Sequence, residues 1–231
     1  MVGLTPSGLK ASLKVGVLIS GRGSNLQALI DACAAPDFPA EIALVLSNKA
    51  DAYGLERAAF AGVPGTVVDH RDFPGDKRAF EEAMDARLRG AGVELVCLAG
   101  FMRLLSPWFV ERWHDRLINI HPSLLPSFKG LDTHRRALDA GVRFHGCTVH
   151  YVRPEMDEGP IIAQAAVPVL PGDDADRLSA RVLEAEHRLY PQALRLIAEG
   201  RARVDQDRVA LSGPTTSGPV PDLPTLINPP A

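Results

Sequence analysis

Cysteine is scarce in this sequence, and the few cysteines form no recognisable framework. The 231 residues include only Cys33, Cys97 and Cys147, which lie far apart and form no CxxC pair. Disulfide scaffolds and thiolate zinc sites need closely spaced sets of cysteines, so neither class is predicted. We interpret the three residues as free, mostly buried thiols in the reducing cytosol.

Long apolar runs and blocks of one charge are also missing. No run approaches the roughly 18 apolar residues that a membrane-spanning helix needs. The first residues lack the charged start and apolar core of a secretory signal peptide. The formal net charge is −3 with histidine neutral, without a basic or acidic block. These features predict a cytoplasmic protein and indicate neither a nucleic acid nor a membrane as partner.

The sequence motifs of several hydrolase classes are absent. The chain contains neither HEXXH nor HXH, so no metal site is predicted, and without a GxSxG motif a serine hydrolase is disfavoured. The composition is otherwise ordinary for a soluble globular protein, with 46% apolar and 23% charged residues. That apolar fraction is enough to bury a core.

What the sequence does contain is an alternation of strands and helices. Residues 14–20, 41–48, 66–69, 93–101 and 116–120 are short apolar runs rich in β-branched residues, and they predict parallel strands. The stretches between most of them have helical periodicity. This alternation predicts a Rossmann-like, doubly wound α/β domain.

The later half of the chain has a different pattern. Residues 145–152 and 161–169 are predicted as strands with alternating character, so antiparallel pairing is expected there. Residues 173–199 form a long helical stretch that Pro191 should kink or split. A terminal hairpin is possible over residues 203–211.

The predicted boundaries divide the chain into three parts. Residues 1–13 look like a loose extension, residues 14–211 make the domain, and residues 212–231 form a tail rich in proline that is expected to be unpacked.

A glycine-rich turn, GRGSN, follows the first strand and precedes a helix. Ser24 or Asn25 is expected to cap that helix, and main-chain N–H groups at a helix start bind phosphate. The dinucleotide pattern GxGxxG fails because Leu26 stands at its last glycine, and SNK replaces the acidic residue expected after the second strand. A site for a single phosphate and an ordinary glycine turn both remain open.

Asn119 and His121 alternate at the end of the strand over residues 116–120, so their side chains point the same way. Ligands of open α/β sheets bind beyond the carboxyl ends of the strands. An asparagine amide can donate to a developing oxyanion, and a protonated histidine can do so or deliver a proton. Asp157, in the loop RPEMDEGP, is either part of a surface turn or a partner of His121. Sequence spacing alone leaves that choice open.

Taken together, these residues resemble a known family, the phosphoribosylglycinamide formyltransferases, which are folate-dependent enzymes of purine synthesis. Over roughly residues 14–205, in order, the similar segments are KVGVLISGRGSNLQALIDA, LSNKADAYGLERA, LAGFMRLLSP, LINIHPSLLPSFKGLDTHRRAL, HGCTVHYV, MDEGPIIAQ and EAEHRLYP. NIHPSLLP and the late aspartate are shared with other formyltetrahydrofolate enzymes. SGRGSNL and SNKADAYGLERA are more particular to this family.

The resemblance implies a formyl transfer from 10-formyltetrahydrofolate to glycinamide ribonucleotide, without a metal, by a monomer or homodimer. The implied catalytic residues are His121, Asn119 and Asp157, with Thr148 and His150 supporting them. The residues implied to bind the ribonucleotide are Gly23, Ser24, Asn25 and Glu186. Those implied to bind folate are Lys77, Met102, Arg103, Leu104, Leu105 and Asn119. At position 77 the family commonly has arginine, so the bidentate grip on the folate tail is lost here.

Three alternative functions are open. A methionyl-tRNA formyltransferase should carry a further C-terminal domain, commonly basic. A formyltetrahydrofolate hydrolase should carry a regulatory domain before the first strand. Neither feature is expected from this sequence. A non-catalytic nucleotide-binding protein of the same fold would have little reason to hold Asn119, His121 and Asp157 together.

Overall fold

The computed structural model describes residues 12–213 and residue 228. The strands of this part of the chain are β1 (Leu13–Ile19), β2 (Ala40–Ser47), β3 (Gly65–Val67), β4 (Leu95–Leu98), β5 (Leu117–His121), β6 (Phe144–Tyr151), β7 (Ile161–Pro168), β8 (Ala202–Asp205) and β9 (Arg208–Leu211). The helices are α1 (Ser24–Cys33), α2 (Tyr53–Phe60), α3 (Lys77–Gly90), α4 (Pro107–Arg112), α5 (Thr133–Asp139) and α6 (Ala175–Ala198), with a 3₁₀ turn at His70–Asp72.

Seven strands form one sheet in the order β3-β2-β1-β4-β5-β6-β7. Strands β1 to β5 pair in parallel, and β6 and β7 pair antiparallel. The chain moves outward from β1 through β2 to β3 and then returns to place β4 on the other side of β1. The predicted Rossmann-like sheet with antiparallel later strands is confirmed.

Helices cover both faces of the sheet, because each strand of its centre is apolar on both sides. On one face α1 and α6 pack against β1, with Leu26, Leu29 and Tyr190 among the fully buried side chains. On the other face α3 and α4 bury a second cluster that includes Met84 and Trp113. The two cores confirm the doubly wound arrangement.

The strand register brings three loops to one edge of the sheet. Leu18 of β1 pairs with Leu98 of β4, and Leu98 pairs with Asn119 of β5. The chain therefore leaves all three parallel strands at the same level. The point between β1 and β4, where the strand order reverses, is where open α/β sheets form a ligand crevice.

The N-cap prediction for α1 is wrong. The residue before the helix is Gly23, in the left-handed conformation at φ 69°, and it makes no side-chain cap. Ser24 and Asn25 are the first two helical residues instead. The glycine turns the chain so tightly that the helix begins one residue earlier than the capping pattern suggests.

Helix α6 runs unbroken over 24 residues with Pro191 inside it, so of the expected kink or split the split is wrong and the kink stays a prediction. Tyr190 is fully buried beside the proline, and its hydroxyl donates to the Leu98 carbonyl over 3.1 Å. Burial continues past the proline at Ala193 and Leu194. Packing of this face against the sheet outweighs the local cost of proline.

The predicted terminal hairpin is confirmed as β8 and β9, which pair antiparallel. Its turn residues, Gln206 and Asp207, both have positive φ, the geometry that matches the twist of a two-residue hairpin. No helix among residues 12–213 is long and apolar enough to cross a membrane. The predicted extension and tail fall almost wholly on residues 1–11, 214–227 and 229–231, outside the described residues, so the predicted boundaries stay predictions. Asn228 is described, and its amide donates to the carbonyls of Arg143 and Val169.

Candidate active site

His121, the last residue of β5, lies within reach of Asp157. The distance from His121 Nδ1 to Asp157 Oδ2 is 3.5 Å, and only 7% and 12% of the two side chains are exposed. On its other side, His121 Nε2 lies 3.1 Å from the carbonyl oxygen of Phe128. Oxygen acceptors thus face both ring nitrogens, an arrangement in which an imidazolium can donate to both.

Asp157 is aimed at His121 by its backbone. Its φ of 55° is in the left-handed region, which a short polar side chain tolerates better than most. The main-chain N–H of Gly130 donates to Asp157 Oδ2 over 2.8 Å, on the same oxygen that faces His121. Of the two readings that the sequence left open for Asp157, the structure has it paired with His121.

Asn119 shares this cluster through His150. The two residues are partners across β5 and β6, and Asn119 Nδ2 lies 3.4 Å from His150 Nε2. His150 Nδ1 lies 2.9 Å from the Tyr151 carbonyl, so it carries the proton and leaves Nε2 as the acceptor. One N–H of the Asn119 amide is thereby fixed, and its second N–H can donate to a bound oxygen.

His150 is neutral at ordinary pH. Burial lowers its pKa to about 4, although its bond to the Tyr151 carbonyl and the nearby Asp157 act in the opposite direction. Only 2% of its surface is exposed. A neutral imidazole is the form that can accept from Asn119, so the lowered pKa and the hydrogen-bond geometry agree.

Thr148 supports the loop that follows β5. It stands opposite His121 in the β5–β6 register. Its hydroxyl donates to the Ser123 carbonyl over 2.7 Å and accepts from the main-chain N–H of Leu125 over 3.0 Å. Gln164 on β7 adds a donor to the same hydroxyl at 3.0 Å. Sequence reasoning missed Gln164, which nothing in the local pattern distinguishes from other strand residues.

Helix α2 packs against the glycine turn after β1 and fixes its backbone. A side chain at Gly23 would place its Cβ 2.7 Å from Gly54 Cα, so only glycine fits this approach. The N–H of Gly54 donates to the Gly21 carbonyl over 3.0 Å, and Arg57 Nε donates to the Arg22 carbonyl over 2.9 Å. The first N–H groups of α1 have no acceptor within the helix, and they can receive an anion.

The Asn25 side chain turns inward to Glu186. Asn25 Nδ2 donates to Glu186 Oε2 over 2.7 Å, and both residues are buried. Burial raises the pKa of Glu186 to about 7, and the hydrogen bond from Asn25 lowers it. Asn25 Oδ1 is buried without a hydrogen-bond partner among the described residues. This pair offers a carboxylate and an amide oxygen to the hydroxyls or amine of a ligand.

Four of the residues predicted to bind folate, Met102 to Leu105, lie on the loop between β4 and α4. We call residues 102–105 the folate segment. The side chains of Met102 and Leu104 are 70% and 69% exposed, large values for apolar residues. Next to the segment, Ser106 caps α4, and its main-chain N–H donates to Glu81 Oε1 over 2.7 Å. Sequence reasoning missed Glu81, which is fully buried on α3.

Lys77 is the first residue of α3 and is exposed. Phe80 lies one turn further along, and the Arg103 guanidinium lies 5.6 Å from the centre of its ring. The structure therefore brings the folate segment to the helix that carries Lys77. Within residues 12–213 and 228, no cluster of three His, Cys, Asp or Glu side chains could hold a metal ion.

Comparison with known proteins agrees with this geometry. Residues 13–194 match the family model described as formyl transferase. The chain is 45% identical over 201 residues to the phosphoribosylglycinamide formyltransferase of Escherichia coli. The aligned region covers 87% of this chain and 94% of that protein. This chain belongs to the phosphoribosylglycinamide formyltransferase family.

Solved structures of the family share the fold. Glycinamide ribonucleotide transformylase 1 from Symbiobacterium toebii superposes with a TM-score of 0.84 at 51% identity, covering 87% of this chain and 94% of that one. The trifunctional purine biosynthetic protein adenosine-3 of Gallus gallus is 54% identical over 194 residues. The match takes in 84% of this chain but only 19% of that longer protein. The predicted family is confirmed.

Proposed function

We propose that this chain transfers the formyl group of 10-formyltetrahydrofolate to the amine of 5-phosphoribosylglycinamide, a step of purine synthesis. The observation that carries the proposal is the meeting of Asn119, His121 and Asp157 at the carboxyl edge of the sheet. The glycine turn follows β1 and the folate segment follows β4, and these neighbouring strands end side by side at the same edge of the sheet. The identity to the Escherichia coli relative supports the choice of acceptor.

Asn119 and His121 stabilise the charge that develops during transfer. When the glycinamide amine attacks the formyl carbon, negative charge collects on the formyl oxygen. The second N–H of Asn119 donates to that oxygen, and the positive charge of a protonated His121, whose two ring nitrogens face Asp157 and the Phe128 carbonyl, stabilises it electrostatically. Donors fixed before the reaction stabilise such charge without reorganising. The bond from Asn119 to His150 supplies that fixation.

Asp157 handles the proton. The attacking amine must lose a proton and the departing folate nitrogen must gain one. Asp157 accepts the proton of the attacking amine through a water molecule and passes it to the departing folate nitrogen. Its second oxygen, Oδ1, lies 3.9 Å from His150 Nε2, while Oδ2 is held by Gly130. Much of the remaining acceleration comes from holding two substrates in register.

The two substrates bind on neighbouring loops. The phosphate lies on the N–H groups of Gly23, Ser24 and Asn25, and Glu186 meets the ribose or glycinamide part. The pterin meets main-chain atoms of the folate segment, and Lys77 attracts the glutamate tail as a single charge, without the fork of an arginine.

The deciding experiment incubates the purified chain with glycinamide ribonucleotide and 10-formyltetrahydrofolate. Mass spectrometry should detect formylated ribonucleotide in equal amount to the tetrahydrofolate released. Release of formate without the ribonucleotide would indicate a hydrolase, and formylation of methionyl-tRNA would indicate the tRNA enzyme. Absence of any turnover would leave a nucleotide-binding protein of the same fold.

We also propose that the chain acts in the cytoplasm as a monomer or homodimer, with small molecules as its substrates. Light scattering on the purified chain measures its mass, and a species larger than a dimer would contradict this part.

A further inference from the structure

Ser20 and Asn48 form a buried hydrogen-bonded pair behind the folate segment. They follow β1 and β2 and are 4% and 2% exposed. Ser20 Oγ donates to Asn48 Oδ1 over 2.6 Å and accepts from the main-chain N–H of Met102 over 2.8 Å. We infer that Ser20 and Asn48 are positioning residues that fix the main chain of the folate segment for folate binding. The inference rests on the proposed function.

The hydroxyl of Ser20 is engaged within the protein both as donor and as acceptor. Its single proton goes to Asn48, and one of its two lone pairs accepts from the main-chain N–H of Met102. The Met102 side chain is 70% exposed, so packing contributes little to holding this residue. The hydrogen bond to its N–H is therefore the contact that fixes the main chain here, and its loss leaves a part-buried donor without an acceptor.

Asn48 stands where a dinucleotide-binding protein has an acidic residue after its second strand. Here the neutral amide oxygen accepts from a serine instead of from a ribose. Asn48 is itself held, since its main-chain carbonyl lies 3.0 Å from His70 Nδ1. The residue that replaces the acidic position of the dinucleotide motif therefore connects the end of β2, through Ser20, to the folate segment.

The consequence should fall on folate and not on the ribonucleotide. Ser20 directly precedes the glycine turn, but that turn has ties of its own. Gly54 donates to Gly21, and Arg57 donates to the Arg22 carbonyl. The folate segment has Ser20 near its start and the Ser106–Glu81 contact at its other end. Loss of the Ser20 hydroxyl therefore loosens the segment more than the turn.

The test measures tetrahydrofolate binding by calorimetry without the ribonucleotide. Ser20→Ala should weaken binding about five- to tenfold, the effect of one lost hydrogen bond. Its KM for the ribonucleotide and its kcat at saturating folate should stay within twofold of the unchanged protein. Ser47→Ala is the matched control, because Ser47 is also buried at a strand end, but its hydroxyl donates to the Lys49 carbonyl and accepts from the Lys49 N–H and makes no contact with the folate segment among the described residues. It should bind tetrahydrofolate normally.

Asn48→Ala is the second variant, because it removes the acceptor and leaves the Ser20 hydroxyl in place. Like Ser20→Ala, it should weaken tetrahydrofolate binding. If Ser20→Ala does not fold, Asn48→Ala alone tests whether the pair positions the folate segment. Normal tetrahydrofolate binding by a folded Ser20→Ala or Asn48→Ala protein would overturn the inference. An equal rise in the ribonucleotide KM would also overturn it. Failure of the proposed function would show separately, as absence of formyl transfer by the unchanged protein.

Discussion

The catalytic cluster is formed by Asn119 and His121 of β5 and by Asp157 of the loop after β6, and the folate segment follows the neighbouring strand β4. The two regions expose opposite parts of the chain. In the cluster, His121 and Asp157 are almost buried, and their side chains meet each other and nearby main-chain groups. In the folate segment the side chains of Met102 and Leu104 extend into solvent, while buried side chains hold the main chain. Substitutions in the cluster should therefore change turnover, and those around the segment should change affinity.

The largest effect should come from His121→Ala and Asp157→Ala. Each removes a group to which we assign a role on the developing charge or the proton, so kcat should fall on the order of 10²–10³-fold. Steady-state kinetics with both substrates measure the loss. Tetrahydrofolate affinity should stay normal, since the folate segment keeps its own anchors. Near-normal turnover by either folded variant would remove the assigned role.

Asn25→Ala should give the next largest effect, with a roughly tenfold higher KM for the ribonucleotide and little change for folate. The bond from Asn25 lowers the pKa of Glu186, which burial raises to about 7. Without that bond the pKa rises further, so less of the carboxyl is ionised near neutral pH. The pH at which ribonucleotide binding improves should therefore move upward. Measuring the ribonucleotide KM over about pH 6–9 gives the shift. In Glu186→Gln, which cannot ionise at this position, the dependence of that KM on pH should disappear. Equal changes for both substrates would contradict the assignment.

Acid should destabilise the protein through two buried histidines of β6, His145 at its start and His150 near its end. Burial lowers the pKa of His145 and of His150 to about 4. As pH falls below the unfolded pKa of about 6.5, the unfolded chain takes up protons before the folded one. The stabilising contribution is thus present above that pH and is lost as pH falls toward 4.

Urea unfolding measured near pH 7 and near pH 5 checks this effect, which should reach about 1 kcal/mol per pH unit for each group. His145→Leu should flatten the slope, because that position is 1% exposed and both of its ring nitrogens lack a side-chain partner among the described residues. An unchanged slope would mean that His145 does not contribute.

The smallest effect should come from the exposed Lys77. Lys77→Ala should raise the KM for polyglutamylated folate about two- to fivefold, and Lys77→Arg should lower it slightly by restoring the fork. Neither should change stability, since the side chain is exposed. Lys14→Ala is the control, because Lys14 is an exposed lysine at the start of β1, the end away from the ligand crevice. This variant should leave the KM for polyglutamylated folate unchanged. A similar rise for folate without a glutamate tail would contradict contact with that tail.

Local pattern predicted most of the fold but not its buried polar contacts. The apolar runs placed all seven strands of the large sheet correctly. The α1 cap failed because Gly23 is fixed by its approach to Gly54 on another helix. Helix α6 continues through Pro191 because both sides of the proline are buried. Such contacts join residues far apart in sequence, so no local period reports them.

From the sequence alone it follows that Asn119 and His121 point the same way at the end of a strand, since side chains alternate along every strand. That Asp157 lies against His121, that His150 orients Asn119, and that Ser20 and Asn48 contact the folate segment follow from how distant segments pack. The reason is physical. Alternation is a property of one strand, whereas each of these meetings needs two segments whose separation is set by how the sheet and its loops pack.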